Sequence, residues 1–119
     1  MVLGTDMAKH MEHTNKLDKM AETFDKSDHS EDDQIFLLSM AVHLSDLSNP
    51  TKDWYVSKRW SILLYEEFFN QGDREMEVGL PRGNLTDRST VNIAKGQVGF
   101  INFVILPVYE SWVKLLPKA

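Results

Sequence analysis

The 119-residue sequence has no cysteine, fewer basic than acidic residues, and no uninterrupted apolar run of membrane-spanning length. Without cysteine, neither a disulfide framework nor a thiolate metal site can form, which is consistent with a reducing compartment. The 13 basic and 18 acidic residues give a net charge of −5. We therefore expect no nucleic-acid partner, because nucleic-acid-binding surfaces are basic.

The longest apolar stretch, residues 98–109, is interrupted by Gly99, Asn102 and Pro107. It is shorter than the ~20 residues that a helix needs to cross a bilayer. Residues 1–13 carry several charges and do not resemble a signal peptide. These features predict a soluble chain without a transmembrane segment.

What the sequence does contain is the pattern of an all-α protein. It is 42% hydrophobic and 26% charged, as in ordinary globular domains. Ser30 and Asp53 are suitable N-caps, and Pro107 must kink or restart the last helix. The predicted helices lie at 1–24, 35–47, 53–77 and 90–106, with a polar loop at 25–33 and a final helical segment at 108–116.

Two of these helices are expected to be well buried. Residues 35–47 are apolar on nearly every face, which is typical of a helix in the centre of a bundle. Val56, Trp60, Leu64 and Phe68 repeat every four residues and predict a core stripe. So few helices cannot cover the helix at 35–47 and the apolar run that begins at Val98, and we expect neighbouring segments outside these 119 residues to do so.

Asp46 ends an otherwise apolar helix, where an ionised carboxylate is costly unless it is paired or bound to a metal. His43 lies on the same face, three residues earlier. Pairing with His43, or capping of the loop at Ser48 and Asn49, is favoured by the residues alone. Metal binding is the alternative.

Asp6, His10 and His13 follow one another at helical spacing and could bind zinc or another divalent metal. The spacing lacks the sharper H-E-x-x-H pattern, so a polar helix face with exposed histidines is favoured. Gln97 lies in an apolar segment, one turn before Phe100. Its amide either bonds to the backbone in the core or presents a bidentate edge to a ligand such as a purine.

Four segments together resemble the catalytic domain of class I 3′,5′-cyclic-nucleotide phosphodiesterases. They occur in that family's order and extend the resemblance over residues 1–119. The segments are LGTDMAKH at 3–10, HLSDLSNPTK at 43–52, Trp60 with EEFFNQGD at 66–73, and GQVGFI at 96–101. The resemblance implies part of a larger multi-helix catalytic domain, namely its downstream metal-ligand and purine-binding half.

The resemblance also implies an activity and its cofactors. Cyclic AMP, cyclic GMP or both would be hydrolysed to 5′-monophosphates by a metal-bound hydroxide, with Zn²⁺ and Mg²⁺ or Mn²⁺ in the complete domain. Asp46 matches the family's direct zinc ligand and catalytic aspartate. Thr5 matches a residue that hydrogen-bonds water around the second metal.

Substrate contacts are implied for seven further residues. Gln97 matches the glutamine that bonds the purine edge, and Phe100 and Leu64 match the two jaws of a clamp on the base. The remaining pocket-lining positions are Asn49, Trp60, Phe68 and Met7. The stripe at 56–68 is therefore expected to be partly pocket wall.

The family's H-N-x-x-H and H-D-x-x-H metal segments are absent from this sequence, and Gly96 stands where the family often has serine. We therefore expect the 119 residues alone to be inactive and to need an upstream half of the same domain. A non-catalytic nucleotide-binding or protein-interaction module is the alternative. A cytoplasmic location is expected, with any membrane or ciliary association supplied by regions outside this chain.

Overall fold

The computed structural model describes residues 2–23 and 30–116, and within these ranges it contains helices and no strands. Three short 3₁₀ turns lie at Val2–Thr5, Met7–Lys9 and Asn49–Thr51. The α-helices are α1 (His10–Thr23), α2 (Glu31–Asp46), α3 (Trp54–Glu77), α4 (Ile93–Phe100) and α5 (Leu106–Leu115). The all-α prediction is confirmed.

The predicted polar caps Ser30 and Asp53 set the starts of α2 and α3, although α2 begins directly after Ser30, at Glu31, and not at residue 35. The Ser30 hydroxyl accepts a hydrogen bond from the Asp33 amide at 3.2 Å, and Asp53 Oδ1 accepts one from the Tyr55 amide at 3.0 Å. After α3, Gly79 adopts a φ of 77°, a conformation that ends helices and favours glycine.

Two predicted helix starts are wrong because side chains cap later positions. The backbone at Asp6 is extended, and its carboxylate accepts a hydrogen bond from the Ala8 amide at 2.9 Å, which caps the 3₁₀ turn Met7–Lys9; α1 follows that turn and begins at His10 rather than Met1. Asn92 Oδ1 likewise accepts from the Lys95 amide at 3.0 Å, which delays α4 to Ile93. The predicted end of the first helix at residue 24 and most of the 25–33 loop lie outside the described residues.

The last helix continues through Pro107. A π-helical turn at Ile101–Ile105 joins α4 to α5 just before the proline, so the hydrogen-bond pattern changes where the N–H of Pro107 is missing. The continuous helix Ile93–Leu115 has 23 residues and a mean hydropathy of 1.3 over its most apolar window. The sequence underestimated this length: the helix could cross a membrane by length and composition, a test that core helices of soluble proteins also pass.

The chain divides into two compact units, and the first comprises the described residues of 1–48 and 101–119. Its core joins α1, α2 and α5 through Leu17, Met40, Leu44, Val108 and Leu115. Hydrogen bonds reinforce this packing at two points. The Tyr109 hydroxyl donates to the Leu44 carbonyl at 2.8 Å, and Asp18 accepts from Ser111 and Lys114.

The second unit, residues 49–100, contains α3, α4 and the segment between them. Charged side chains hold that segment against α3. Asp73 forms ion pairs with Arg82 and Arg88, and Glu75 accepts a hydrogen bond from the Thr86 hydroxyl at 3.0 Å.

The predicted core stripe on α3 is largely exposed. Val56, Trp60 and Leu64 are 47%, 62% and 41% exposed, and Phe68 is half-buried. The face that α3 buries instead carries Ser61, Tyr65 and Gly72. Ser61 and Gly72 are small, and Gly72 lets the backbone of Thr86 come close to α3.

The apolar helix α2 is also buried on only one side. Met40, His43 and Leu44 are buried, whereas Ile35, Leu38 and Val42 are 49%, 55% and 40% exposed. Burial on every face is thus not observed within the described residues.

Candidate functional site

A short hydrogen-bond network joins three polar side chains of the second unit. The Ser61 hydroxyl donates to Gln97 Oε1 at 3.0 Å, and Asn49 Nδ2 donates to Ser61 Oγ at 3.4 Å. Ser61 is buried on α3, Gln97 lies on α4 and Asn49 begins the 3₁₀ turn before α3. The structure therefore brings together Gln97 and Asn49, two residues singled out by the sequence, through a third that was not.

The Ser61 hydroxyl has a second acceptor, the Ser57 carbonyl at 2.9 Å. A hydroxyl carries one hydrogen, so it donates to Ser57 or to Gln97 at any moment. When the hydrogen points to Ser57, the Ser61 oxygen can accept from the Gln97 NH₂ group after the amide turns over. The network therefore permits the Gln97 amide to present either its carbonyl or its NH₂ group outward.

The apolar residues predicted to hold a base also fall in the second unit. Phe100 follows Gln97 by three residues on α4, so the two share a helix face. Trp60, Leu64 and Phe68 follow one another at four-residue intervals on α3 and share another. Trp60 and Leu64 are exposed, and Phe100 is half-buried, so these side chains remain available to a ligand.

The other predicted site residues belong to the first unit. Asp46 is the last residue of α2, and its exposed carboxylate has no hydrogen bond or ion pair within the described ranges. Thr5 is half-buried in the Val2–Thr5 turn, and Met7 is 45% exposed. No hydrogen bond or ion pair joins Asp46 to His43, so the predicted pairing is not a direct contact, although the Asp46 carboxylate acts to raise the pKa of His43.

His43 instead contacts another histidine. Its Nε2 lies 2.9 Å from His10 Nδ1, and both rings are buried. Burial lowers the pKa of both imidazoles. Repulsion from His10 and His13 lowers the pKa of His43 further, and the Asp46 carboxylate opposes that shift.

The residues described in the structure do not complete a metal site. They contain no group of three or more His, Asp or Glu side chains placed to hold an ion. The metal interpretation of Asp6, His10 and His13 fails because Asp6 caps a turn and His10 faces His43. His10 is also buried, not exposed as expected. Asp46 can supply one ligand, whereas zinc sites need three or four protein ligands.

Comparison with known proteins then identifies the chain. The model of the 3′,5′-cyclic nucleotide phosphodiesterase family matches residues 1–119. The chain belongs to this family. The resemblance inferred from the four sequence segments is confirmed.

Individual relatives agree with the family match. The chain is 40% identical over 119 residues to the dual specificity calcium/calmodulin-dependent 3′,5′-cyclic nucleotide phosphodiesterase 1B of Bos taurus. It is 43% identical over 122 aligned residues to the 3′,5′-cyclic-AMP phosphodiesterase, isoform F, of Drosophila melanogaster. These matches cover 100% and 98% of the chain but only 21% and 18% of the relatives.

The fold agrees as well. The structure of LmjPDEB1 in complex with IBMX superposes with a TM-score of 0.88 and 34% identity, covering 97% of this chain and 34% of that one. The helices described above are thus a portion of a phosphodiesterase catalytic-domain fold.

Sequence reasoning missed Ser61 and Tyr65, the buried residues of α3 that contact α4. Ser61 stands beside Trp60 and carries little hydrophobic signal. Its only clue was a small polar side chain recurring four residues after Ser57, directly beside the apolar stripe.

Proposed function

We propose that this chain forms part of a catalytic domain that hydrolyses 3′,5′-cyclic nucleotides to 5′-monophosphates. The observation that carries the proposal is the Asn49–Ser61–Gln97 network, which orients an amide beside apolar faces suited to a base. Family membership over residues 1–119 supports it. Because the chain spans about a fifth of its relatives' length, the activity is proposed for the complete domain.

Gln97 is proposed to bond the purine edge with its amide, as amides do with bases elsewhere. Phe100 and Leu64 would hold the two faces of the base. Stacking on an aromatic ring contributes on the order of 1–3 kcal/mol per base in other nucleotide-binding proteins. Trp60, Phe68 and Asn49 would line the remainder of the pocket.

Zn²⁺ with Mg²⁺ or Mn²⁺ would supply water activation near neutral pH in the complete domain. Asp46 is proposed to contribute one ligand, for which its exposed carboxylate is available, and Thr5 to orient water nearby. The other ligands would come from an upstream half of the domain. In the reaction a water oxygen bonds to phosphorus, the bond from phosphorus to O3′ breaks, and O3′ leaves with a proton.

Both cyclic AMP and cyclic GMP are proposed as substrates. Adenine offers an amino group where guanine offers a carbonyl, and the Ser61 hydroxyl can support either orientation of the Gln97 amide. The Bos taurus relative is named a dual specificity enzyme.

The test is hydrolysis of both nucleotides by the complete catalytic domain and by the 119-residue chain, with zinc and magnesium added. We expect activity from the complete domain only. Gln97→Ala should raise KM for both nucleotides, and Asp46→Asn should lower kcat. Gln71→Ala is the matched control, because the Gln71 amide bonds to Glu75 on the same helix. An inactive complete domain contradicts the proposal.

A nucleotide-binding module without catalysis is the second candidate. The network around Gln97 forms within the second unit, whereas the described residues hold no metal cluster. Calorimetry of cyclic AMP with the 119-residue chain distinguishes this candidate. Binding that Gln97→Ala abolishes would favour it, and no binding by the wild-type chain would exclude it.

A further inference from the structure

Tyr65 is a buried aromatic residue of α3 that lies directly against the backbone of α4. Its side chain is 4% exposed, and its ring contacts Phe68 and Phe69 with centroid separations of 5.9 Å each. The hydroxyl reaches Gly96, the residue immediately before Gln97. A Cβ atom at Gly96 would overlap this hydroxyl and lie 3.2 Å from Tyr65 Cζ.

This contact cannot easily relax. A tyrosine ring is rigid, and neighbouring Phe68 and Phe69 restrict its rotation out of the way. Any side chain at position 96 would therefore push α4 away from α3. Overpacking of this kind moves backbone because protein interiors have few voids.

The same two helices carry the hydrogen bond from Ser61 to Gln97. Ser61 precedes Tyr65 by one turn of α3, and Gln97 directly follows Gly96 on α4. The distance between Ser61 Oγ and Gln97 Oε1 is 3.0 Å, so a shift of about 1 Å would break the bond. The Tyr65–Gly96 contact thus fixes the separation at which Ser61 can orient the Gln97 amide.

We propose that Tyr65 is a positioning residue for Gln97. Gly96 is required because it lets the Tyr65 hydroxyl touch the α4 backbone and so set the distance between α3 and α4. This inference rests on the proposed role of Gln97 in binding the base. Because the base is remote from the reacting phosphate, misplacing Gln97 should weaken binding of substrate and transition state together, which raises KM and leaves kcat nearly unchanged.

The experiment is a double-mutant cycle in the complete catalytic domain, using Gly96→Ala, Tyr65→Phe and the double variant. We expect Gly96→Ala to raise KM for cyclic AMP on the order of tenfold, with kcat within about twofold. Removing the hydroxyl removes the overlap, so adding Gly96→Ala to Tyr65→Phe should change KM by less than about twofold. Gly99→Ala is the matched control on α4, since among the described residues only the neighbouring part of its own helix lies within 4 Å of its Cβ position.

Melting temperatures of the wild type, the two single variants and the double variant show how far each substitution affects packing, and KM shows whether it also affects the positioning of Gln97. An unchanged KM in Gly96→Ala would overturn the inference, and so would an equal rise of KM in Gly99→Ala. This holds even if the melting temperatures show that the substitutions at positions 65 and 96 are coupled. If Gly96→Ala does not fold, Tyr65→Phe alone should raise KM about threefold, because the hydroxyl that holds α4 at its distance from α3 is lost. An unchanged KM in Tyr65→Phe would then overturn the inference.

Calorimetric Kd values for cyclic AMP keep this test distinct from that of the proposed activity. The same pattern in Kd from a domain without hydrolysis would contradict the proposed activity and support the positioning role. A wild-type domain that neither binds nor hydrolyses overturns both.

Discussion

At the scale of single residues, one hydroxyl connects the side chains proposed to recognise the base. Ser61→Ala should leave Gln97 without its partner on α3 and raise KM for cyclic AMP and cyclic GMP about fivefold, the equivalent of one hydrogen bond worth about 1 kcal/mol. Steady-state kinetics of the complete domain measure this. Ser57→Ala is the control, because Ser57 contributes its carbonyl and not its hydroxyl. Equal effects of the two variants would contradict the assignment.

The buried histidines of the first unit predict a pH dependence of stability. His10 and His43 have folded-state pKa values below the ordinary 6.5, chiefly because of burial, and repulsion from His13 lowers both further. Opposing effects, smaller than that of burial, come from the Val104 carbonyl, which raises the pKa of His10, and from Asp46, which raises that of His43. The unfolded chain therefore binds more protons below about pH 6.5, so stability present at neutral pH is lost as pH falls through that value.

Urea unfolding of the chain between pH 5 and 8 measures this dependence. We expect the free energy of unfolding to decrease below about pH 6.5, and His43→Gln, which cannot ionise, to flatten the decrease. A decrease of the same steepness in the variant would assign it to other groups.

At the scale of helices, the sequence predicts elements better than it predicts their buried faces. Ser30, Asp53 and Gly79 mark helix ends through local hydrogen bonds and backbone conformation, which few neighbouring residues determine. The buried face of α3 depends instead on how closely another segment approaches. Ser61 and Gly72 allow that approach by being small, and hydrophobic periodicity gives such residues no weight.

Substitution of Gly72 tests how much this close approach contributes to stability. A Cβ there would overlap the Thr86 carbonyl oxygen and lie 2.9 Å from Thr86 Cβ, so Gly72→Ala must displace the segment that Asp73 and Glu75 hold against α3. We expect a loss of about 1–3 kcal/mol in the free energy of unfolding, measured by urea denaturation. Gly99→Ala should instead be neutral or slightly stabilising, because no other segment of the described structure lies within 4 Å of its Cβ position. Similar losses in both variants would contradict the packing argument.

At the scale of the whole molecule, the family could be predicted from four segments in order, although no single segment is decisive. The proposed base-binding residues other than Met7 fall in the second unit, and Asp46 and Thr5 fall in the first. Geometry within each unit adds what sequence could not supply, namely Ser61 and Tyr65 in one and the His10–His43 contact in the other. These contacts join residues 33 to 36 positions apart or depend on helix packing, so no local pattern encodes them.

The exposed apolar surface predicts that the 119-residue chain associates with itself. Leu38 and Val42 on α2 and Phe103 in the π-helical turn are 55%, 40% and 75% exposed, and the two α2 residues lie on adjacent turns. Exposed apolar side chains of this size drive association in water. Sedimentation velocity from low to high micromolar concentration should therefore show a rising mean mass. Leu38→Glu should reduce the rise, whereas Lys58→Glu, which replaces an exposed charged residue, should leave it unchanged. A wild-type chain that remains monomeric throughout would show that these faces tolerate water.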